Sequence, residues 1–276
     1  MIVAGIDGSK ASVRAVVWAA EEAAWRDTPL RLIHVVDPHK DTDREYAKGY
    51  HFLHRAWDAV AGTELPVKLE TEVLTGEPAE ALAEASRHAE MVCVGSKGQH
   101  ESGGRRRGST AADLARIAFS PVAIVRRRHG HGPTTAARRI IALLDESPGS
   151  HAVLETAMGE ALLRKMSVLA MTPWSAAQHD LEGAACGTVR AQLRDLLDDI
   201  EEENTDVRMC ATLLPEDLLD VLAQDADTEQ LVVVSKSRPD LLEELISSRA
   251  WSLLRKTNCS LLVLHGREDD ESGLEL

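Results

Sequence analysis

Three glycines and a serine follow one apolar run of the chain at a spacing that suits phosphate binding. They are Gly95, Gly98 and Gly108-Ser109, and the apolar run before them is Met91–Val94. Because glycine lacks a Cβ, a glycine-rich turn at the end of a buried strand lets backbone N–H groups approach a phosphate. Thr110 then begins a helical pattern, and a helix start offers free N–H groups and a positive dipole end to the same anion. The spacing therefore predicts a phosphate-binding loop.

The same layout recurs in the second half of the chain, but without its glycines. The corresponding positions are Ser235, Arg238, Ser248 and Arg249. A bulky side chain at such a position blocks the close backbone approach that a phosphate needs. The first half is therefore predicted to bind a phosphate group, and the second half is predicted to have lost that ability.

Length and composition predict an ordinary globular protein of two domains. The chain has 276 residues, of which 44% are hydrophobic and 28% are charged, and domains average roughly 150 residues. The apolar runs are far shorter than the ~20 residues that span a bilayer, and the first residues form a strand pattern and not a signal peptide. We therefore expect a cytoplasmic protein that does not bind membranes.

Charge and cysteine usage exclude two further classes of function. The formal net charge of −14 disfavours nucleic acid as a partner, and aromatic residues make up only 3% of the chain. The four cysteines, Cys93, Cys186, Cys210 and Cys259, are scattered and show no metal-binding spacing. We expect reduced, mostly buried thiols.

Short runs rich in Val, Ile and Leu alternate with helical patterns, which is typical of βαβ units and a parallel sheet. In the first half the predicted strands are Ile2–Ile6, Arg31–Val36, Val67–Val73, Met91–Val94 and Val122–Val125, and the predicted helices are Ser9–Asp27, Asp43–Ala61, Pro78–His88 and Thr110–Phe119. In the second half the predicted strands are Arg139–Leu144, Ser167–Met171, Val207–Leu213, Leu231–Val234 and Leu261–His265, and the predicted helices are His151–Arg164, Gly187–Glu202, Glu216–Gln224 and Arg249–Thr257. The repeated order indicates a tandem duplication. It predicts one domain at 1–127, a linker at 128–138, a second domain at 139–267 and an acidic tail at 268–276.

Together these features resemble the universal stress protein family in its tandem two-domain form. The resemblance rests on Gly-Ile-Asp-Gly-Ser at 5–9, His-Val-Val-Asp at 34–37 and the glycine pattern described above, each at the end of a predicted strand. It implies two tandem, doubly wound α/β domains of the Rossmann-like type, each with a five-stranded, mainly parallel sheet. It also implies ATP at the carboxyl ends of the strands, with Mg²⁺ as a further candidate.

Carried over position by position, the resemblance implies a set of ATP-binding residues in the first half. Those at the adenosine are Gly5, Ile6, Asp7 and Val35; those at the ribose and phosphates are Val94, Gly95, Gly98, Gly108, Ser109 and Thr110. A carboxylate accepts hydrogen bonds from hydroxyl or amine groups and repels phosphates, so Asp7 belongs at the nucleoside end. We expect one ATP site per chain.

Three functions fit these residues and motifs. The first is an ATP-binding regulatory protein of a stress response, with little or no hydrolysis and a protein partner that the sequence does not identify. The second is a slow ATPase or nucleotidyl-transferring enzyme in which Lys97 and an arginine from Arg105–Arg107 stabilise phosphate charge. The third is an interaction module in which nucleotide is incidental. The Walker and Rossmann glycine motifs are both absent.

The family also implies pairing through the last strand of each domain. Here that pairing would join Val122–Val125 to Leu261–His265 within one chain, as an intrachain pseudo-dimer, or would build a homodimer. Other groups have simpler interpretations. His34 is expected to be a buried core residue, and no catalytic or metal-ligating set is identified. The acidic pairs Glu21-Glu22 and Asp198-Asp199, with residues 201–203, are expected to lie on solvated helix faces.

Overall fold

The structure is a computed structural model that describes residues 1–39, 42–98, 109–126, 138–144, 149–173, 207–214, 217–225 and 228–265. Within these ranges ten strands form one sheet, in the order β3-β2-β1-β4-β5-β10-β9-β6-β7-β8. The strands are β1 Ile2–Gly5, β2 Leu30–Val36, β3 Leu69–Thr75, β4 Met91–Gly95, β5 Val122–Val125, β6 Arg138–Leu143, β7 Ser167–Pro173, β8 Met209–Leu214, β9 Glu229–Ser235 and β10 Asn258–Leu264. Each half contributes five strands, and every pairing within a half is parallel.

Helices cover both faces of this sheet. They are α1 Lys10–Trp25, α2 Thr42–Ala61, α3 Pro78–Ser86, α4 Ser109–Ile117, α5 Gly149–Arg164, α6 Leu218–Gln224, α7 Pro239–Leu245 and α8 Ser248–Leu253, and α8 ends in a 3₁₀ turn at Leu254–Lys256. Helices α1, α2 and α5 pack on one face, and α3, α4, α6, α7 and α8 pack on the other. In the described parts of the chain, no helix combines the length and the apolar character needed to cross a bilayer.

The doubly wound α/β architecture predicted from the sequence is confirmed. Every predicted strand is present with ends shifted by a few residues, because the terminal residues of an element carry the weakest pattern. Helix α7 was not predicted; proline fits the first position of a helix, and Pro239 occupies that position. The predicted helix 187–202 lies outside the described residues.

The two halves join through an antiparallel pair of strands. Leu261 of β10 lies opposite Ile124 of β5, so the expected intrachain pseudo-dimer pairing is present. Arg126 continues this seam: its backbone N–H donates to Ser260 Oγ at 3.1 Å and its guanidinium donates to the Cys259 carbonyl at 3.3 Å. Burial lowers the pKa of Arg126 to about 10. The strand edge that would pair in a homodimer of this type is therefore occupied within the chain.

A ring of four charges, three of them buried, provides a second junction between the halves. Glu22 and Arg26 lie at the end of α1, and Glu160 and Arg164 lie at the end of α5. Arg26 donates to Glu22 at 3.0 Å and to Glu160 at 2.7 Å; Arg164 donates to Glu160 at 3.0 Å and also to Glu22. Glu22 is 0% exposed and Glu160 is 1% exposed.

This ring corrects the expectation that Glu22 lies on a solvated face. Glu22 follows Trp18 by one helical turn, and Trp18 is buried beneath the guanidinium of Arg164. The apolar stripe of α1 therefore faces both the sheet and α5, and a single-helix pattern shows only the first of these contacts. The other acidic groups at 198–199 and 201–203 lie outside the described residues.

The cysteines follow the expectation in part. Cys93 and Cys259 are buried free thiols, and burial raises the pKa of both, that of Cys259 to about 11. Cys210 is exposed, contrary to expectation, because β8 is an edge strand of the sheet and receives less cover than a central strand. Cys186 lies outside the described residues.

Candidate functional site

The strand order of the first half creates a crevice between β1 and β4. The chain runs outward from β1 to β2 and β3, then crosses back to β4 on the other side of β1. Ligands of open α/β sheets bind at such a switch point, outside the carboxyl ends of the strands. Residues 6–9 follow β1 and residues 96–98 follow β4, so the crevice lies between these two loops.

Asp7 and Ser9 give the loop after β1 its shape. Asp7 Oδ1 accepts the N–H of Ser9 at 2.9 Å, and Ser9 Oγ accepts the N–H of Ser12 at 3.0 Å. The second bond is the helix cap that the sequence predicts for α1. Gly8 between them has a φ of +80°, which glycine adopts without steric cost. The carboxylate of Asp7 is therefore held by its own turn at the mouth of the crevice.

The loops after β1 and β4 contact each other directly. Ser9 Oγ donates to the carbonyl of Lys97 at 3.0 Å. The loop after β4 is also bonded to β5, because the N–H of Ser96 donates to the carbonyl of Val125 at 3.2 Å. A Cβ added to Gly98 would lie 3.0 Å from Asp7 Oδ2. Two residues assigned to the site from opposite ends of the domain are thus brought side by side.

Apolar side chains form a wall on one face of the sheet at these strand ends. Gly5, Val35 and Val94 belong to this face; Val94 is buried and Val35 is half-buried. A Cβ on Gly5 would lie 2.8 Å from Cδ1 of Leu82, so α3 closes over this glycine. Leu74 lies beside Val35 on β3. Leu74 and Leu82 were missed from the sequence, although the β2–β3 register would have indicated Leu74.

Two of the predicted site residues, Ile6 and Gly95, are also required for packing within the domain. The side chain of Ile6 is buried on the opposite face of the sheet, so only its backbone borders the crevice. A Cβ on Gly95 would lie 2.5 Å from the backbone carbon of Ala11, which real Cβ atoms do not approach. Gly95 is therefore required for the packing of α1 against β4, whatever ligand the crevice holds.

The phosphate end of the predicted site is described in part. Ser109 and Thr110 begin α4, as the motif predicts, and Lys97 and Gly98 are exposed beyond the end of β4. Gly108 and Arg105–Arg107 lie outside the described residues. In the parts of the chain that are described, histidine, cysteine and acidic side chains do not gather in groups of three that would hold a metal ion.

The corresponding stretch of the second half, between β9 and α8, contains a packed helix. Ser235 Oγ accepts the N–H of Ser237 at 3.1 Å, and α7 then begins at Pro239. Its apolar residues Leu241, Leu242 and Leu245 are buried. Arg249 at the start of α8 forms an ion pair with Asp217. Asp145, the counterpart of Asp7, lies outside the described residues.

Comparison with known proteins identifies the family to which the chain belongs. The model of the universal stress protein family matches the chain twice, at residues 1–126 and 136–265. The two matches cover almost the whole chain, one for each half of the sheet. The chain belongs to the universal stress protein family, in the tandem form that the sequence motifs indicate.

Two relatives and one solved structure have the same two-domain extent. Universal stress protein Rv2028c of Mycobacterium tuberculosis is 36% identical over 270 residues, which is 95% of each chain. Universal stress protein Rv2624c of the same organism is 33% identical over 267 residues, again 95% of each. A crystal structure of a universal stress protein from Archaeoglobus fulgidus covers 96% of this chain and 97% of its own, with a TM-score of 0.69 and 14% identity, and supports the fold.

Proposed function

We propose that the protein binds ATP in the crevice between β1 and β4 of its first half and acts as a nucleotide-dependent regulator. The observation that carries the proposal is the contact between the two loops at the switch point, where Asp7 and Gly98 stand side by side. A carboxylate beside an open backbone suits a ligand with a polar nucleoside end and an anionic end. Membership of the universal stress protein family supports the same ligand.

The residues present fit an adenine nucleotide in one orientation. Val35 and Leu74 are half-buried and offer apolar contact to a base, and Asp7 accepts hydrogen bonds from the ribose hydroxyls. The missing Cβ of Gly98 and the start of α4 leave open backbone for the phosphate chain.

One ATP per chain is the proposed stoichiometry. In the second half, the residues that correspond to the glycines are Ser235, Arg238 and Ser248, and Arg249 is already paired with Asp217. Side chains at these positions hinder the close backbone approach that a phosphate needs. Equilibrium dialysis that finds two equivalent ATP per chain would contradict this assignment.

Regulation by binding requires that ATP favours one of two states of the protein. Bound phosphates would fix the start of α4 relative to the loop after β4, and so change the surface offered to a partner. The chain carries neither of the two glycine motifs typical of nucleotide-processing enzymes. We therefore expect turnover well below ~1 s⁻¹ with Mg²⁺-ATP. Faster release of phosphate or transfer of a nucleotidyl group would favour the enzymatic alternative.

Replacing Gly98 by alanine is expected to weaken ATP binding by about tenfold or more, or ~1.4 kcal/mol. The added Cβ would stand 3.0 Å from Asp7 Oδ2, against the carboxylate and in the open approach to the backbone. Calorimetric titration of ATP into Gly98→Ala and the parent protein measures the change. Gly159→Ala is the matched control, because a Cβ there meets nothing within 4 Å. Equal affinities for all three proteins would remove the crevice as the site.

A further inference from the structure

His34 is a buried polar residue directly beneath the candidate site. It lies on β2 and is 8% exposed, on the face of the sheet opposite Val35. Its Nδ1 lies 2.6 Å from the carbonyl oxygen of Ile6. Because a carbonyl can only accept a hydrogen bond, Nδ1 must carry the proton and donate it. That carbonyl belongs to the same peptide group as the N–H of Asp7, so His34 holds the peptide plane that leads into the Asp7 turn.

Helix α2 is built around this imidazole. A Cβ on Gly49 would lie 2.5 Å from Cδ2 of His34, so the glycine provides the space that the ring occupies. One turn later, Phe52 makes an edge contact with His34, with ring centroids 5.6 Å apart. The same Phe52 ring covers Gly8 so closely that any Cβ there would overlap it. Helix α2 thus supports the loop after β1 at two points, through His34 at Ile6 and through Phe52 at Gly8.

We propose that His34 is a positioning residue for nucleotide binding, acting on Asp7 through the Ile6 carbonyl. The Asp7 turn bonds to Ser9, and Ser9 bonds to Lys97, so its position sets the spacing of the two loops. Removal of the Nδ1–H leaves a buried carbonyl without its partner, and the turn relaxes to find another donor. This inference rests on the proposed function, but the action of His34 on the turn exists without ligand.

Two substitutions of similar size separate the hydrogen bond from the volume of the ring. In His34→Asn the amide nitrogen stands as many bonds from the backbone as Nδ1 and keeps a donor. In His34→Leu the side chain has the same branching and no donor. Both variants lose ring atoms and packing against Phe52, so the difference between them reports the bond to Ile6. Leu154→Ala, which truncates a fully buried side chain of α5, controls for loss of stability alone.

Two measurements are made on the full-length protein: ATP affinity by calorimetry, and amide hydrogen exchange of Ser9 by NMR without ligand. We expect His34→Leu to bind ATP about tenfold or more weakly and His34→Asn to stay within about threefold. Leu154→Ala is expected to bind ATP as the parent does. Exchange of the Ser9 amide should rise about tenfold in His34→Leu and little in the other two variants, because that amide is bonded to Asp7.

The outcomes distinguish the two proposals. If the parent binds ATP and His34→Leu binds it equally well, the positioning role is wrong and the proposed function stands. If the parent does not bind ATP, the proposed function fails, and faster Ser9 exchange in His34→Leu alone still supports the role of His34. Equal Ser9 exchange in His34→Leu and His34→Asn overturns that role in either case.

Discussion

Replacing Arg164 by methionine is expected to lower the free energy of unfolding by about 3–5 kcal/mol. Arg164 donates to Glu22 and to Glu160, and both carboxylates are almost completely shielded from water. Methionine fills much of the same space without a charge, so the change leaves two buried carboxylates that share the single guanidinium of Arg26. A buried charge that loses its partner keeps its desolvation cost and loses the attraction that offset it.

The pKa shifts of Arg164 and Glu160 reflect the desolvation cost that underlies the large expected loss of unfolding free energy. Burial lowers the pKa of Arg164 to about 10 and raises the pKa of Glu160 although Arg26 opposes that change. In both groups desolvation is the largest cause of the shift, and a buried ion pair offsets such a cost only where its geometry is good. The effect of the ring is specific: the four side chains bond to one another in the arrangement that brings the ends of α1 and α5 together. Replacing all four residues by apolar ones of similar volume is therefore expected to cost little or even stabilise the fold.

Arg31→Met is the matched control for this prediction. Arg31 forms ion pairs with Glu70 at 3.2 Å and Glu72 at 3.4 Å, but it is 36% exposed, and such pairs contribute ~0–1 kcal/mol. Urea denaturation followed by circular dichroism compares the two variants with the parent, with equal m-values as the condition for a two-state comparison. Similar losses in Arg164→Met and Arg31→Met would mean that the ring is hydrated and not buried.

The fold could be predicted from the sequence because its signals are local and repeated. Strands such as Val122–Val125 are continuous apolar runs, as expected for a parallel sheet covered on both faces. The tandem repeat doubled that signal, and Ser9 fixed the start of α1 through its side-chain oxygen. The site residues Asp7, Val35 and Gly98 lie at or just after strand ends, so the prediction of a parallel sheet was enough to place them at one edge.

What could not be predicted depends on contacts between elements distant in the chain. Glu22 belongs to an acidic pair that was expected on a solvated helix face, and its burial follows only from α5 of the other half. His34 was expected in the core, but its bond to Ile6 requires knowledge of the β1–β2 register. Helix α7 was missed because a proline can end one element or begin the next, and the leucines that bury it decide between them.

Replacing Gly95 by alanine is expected to impair both the fold and the ligand site. The added Cβ would lie 2.5 Å from the carbonyl carbon of Ala11 and 2.7 Å from the nitrogen of Ser12. Both are backbone atoms of α1 that no rotamer change can move away, so the helix start or the end of β4 must shift. Steric overpacking of a core costs about 1–3 kcal/mol, and a backbone clash lies at or above the upper end of that range.

A shift of α1 is also expected to weaken ATP binding, because the start of this helix is bonded to the loops of the candidate site. Ser9 caps α1 by accepting the N–H of Ser12 and also donates to Lys97, so a displaced helix start moves the Asp7 turn relative to the loop after β4. We therefore expect Gly95→Ala to lower both the urea midpoint and the ATP affinity. Gly98→Ala should lower the affinity alone, and Gly159→Ala should lower neither.

The contrast between Gly95→Ala and Gly98→Ala separates two structural roles of glycine within the same motif. A phosphate ligand explains Gly98, where a Cβ meets only a carboxylate, whereas the approach of a helix explains Gly95 without any ligand. If Gly95→Ala kept the stability of the parent and lost only ATP binding, the packing explanation would be wrong and both glycines would serve the phosphate. If it lost stability and kept its affinity, the coupling of α1 to the Asp7 turn would be wrong.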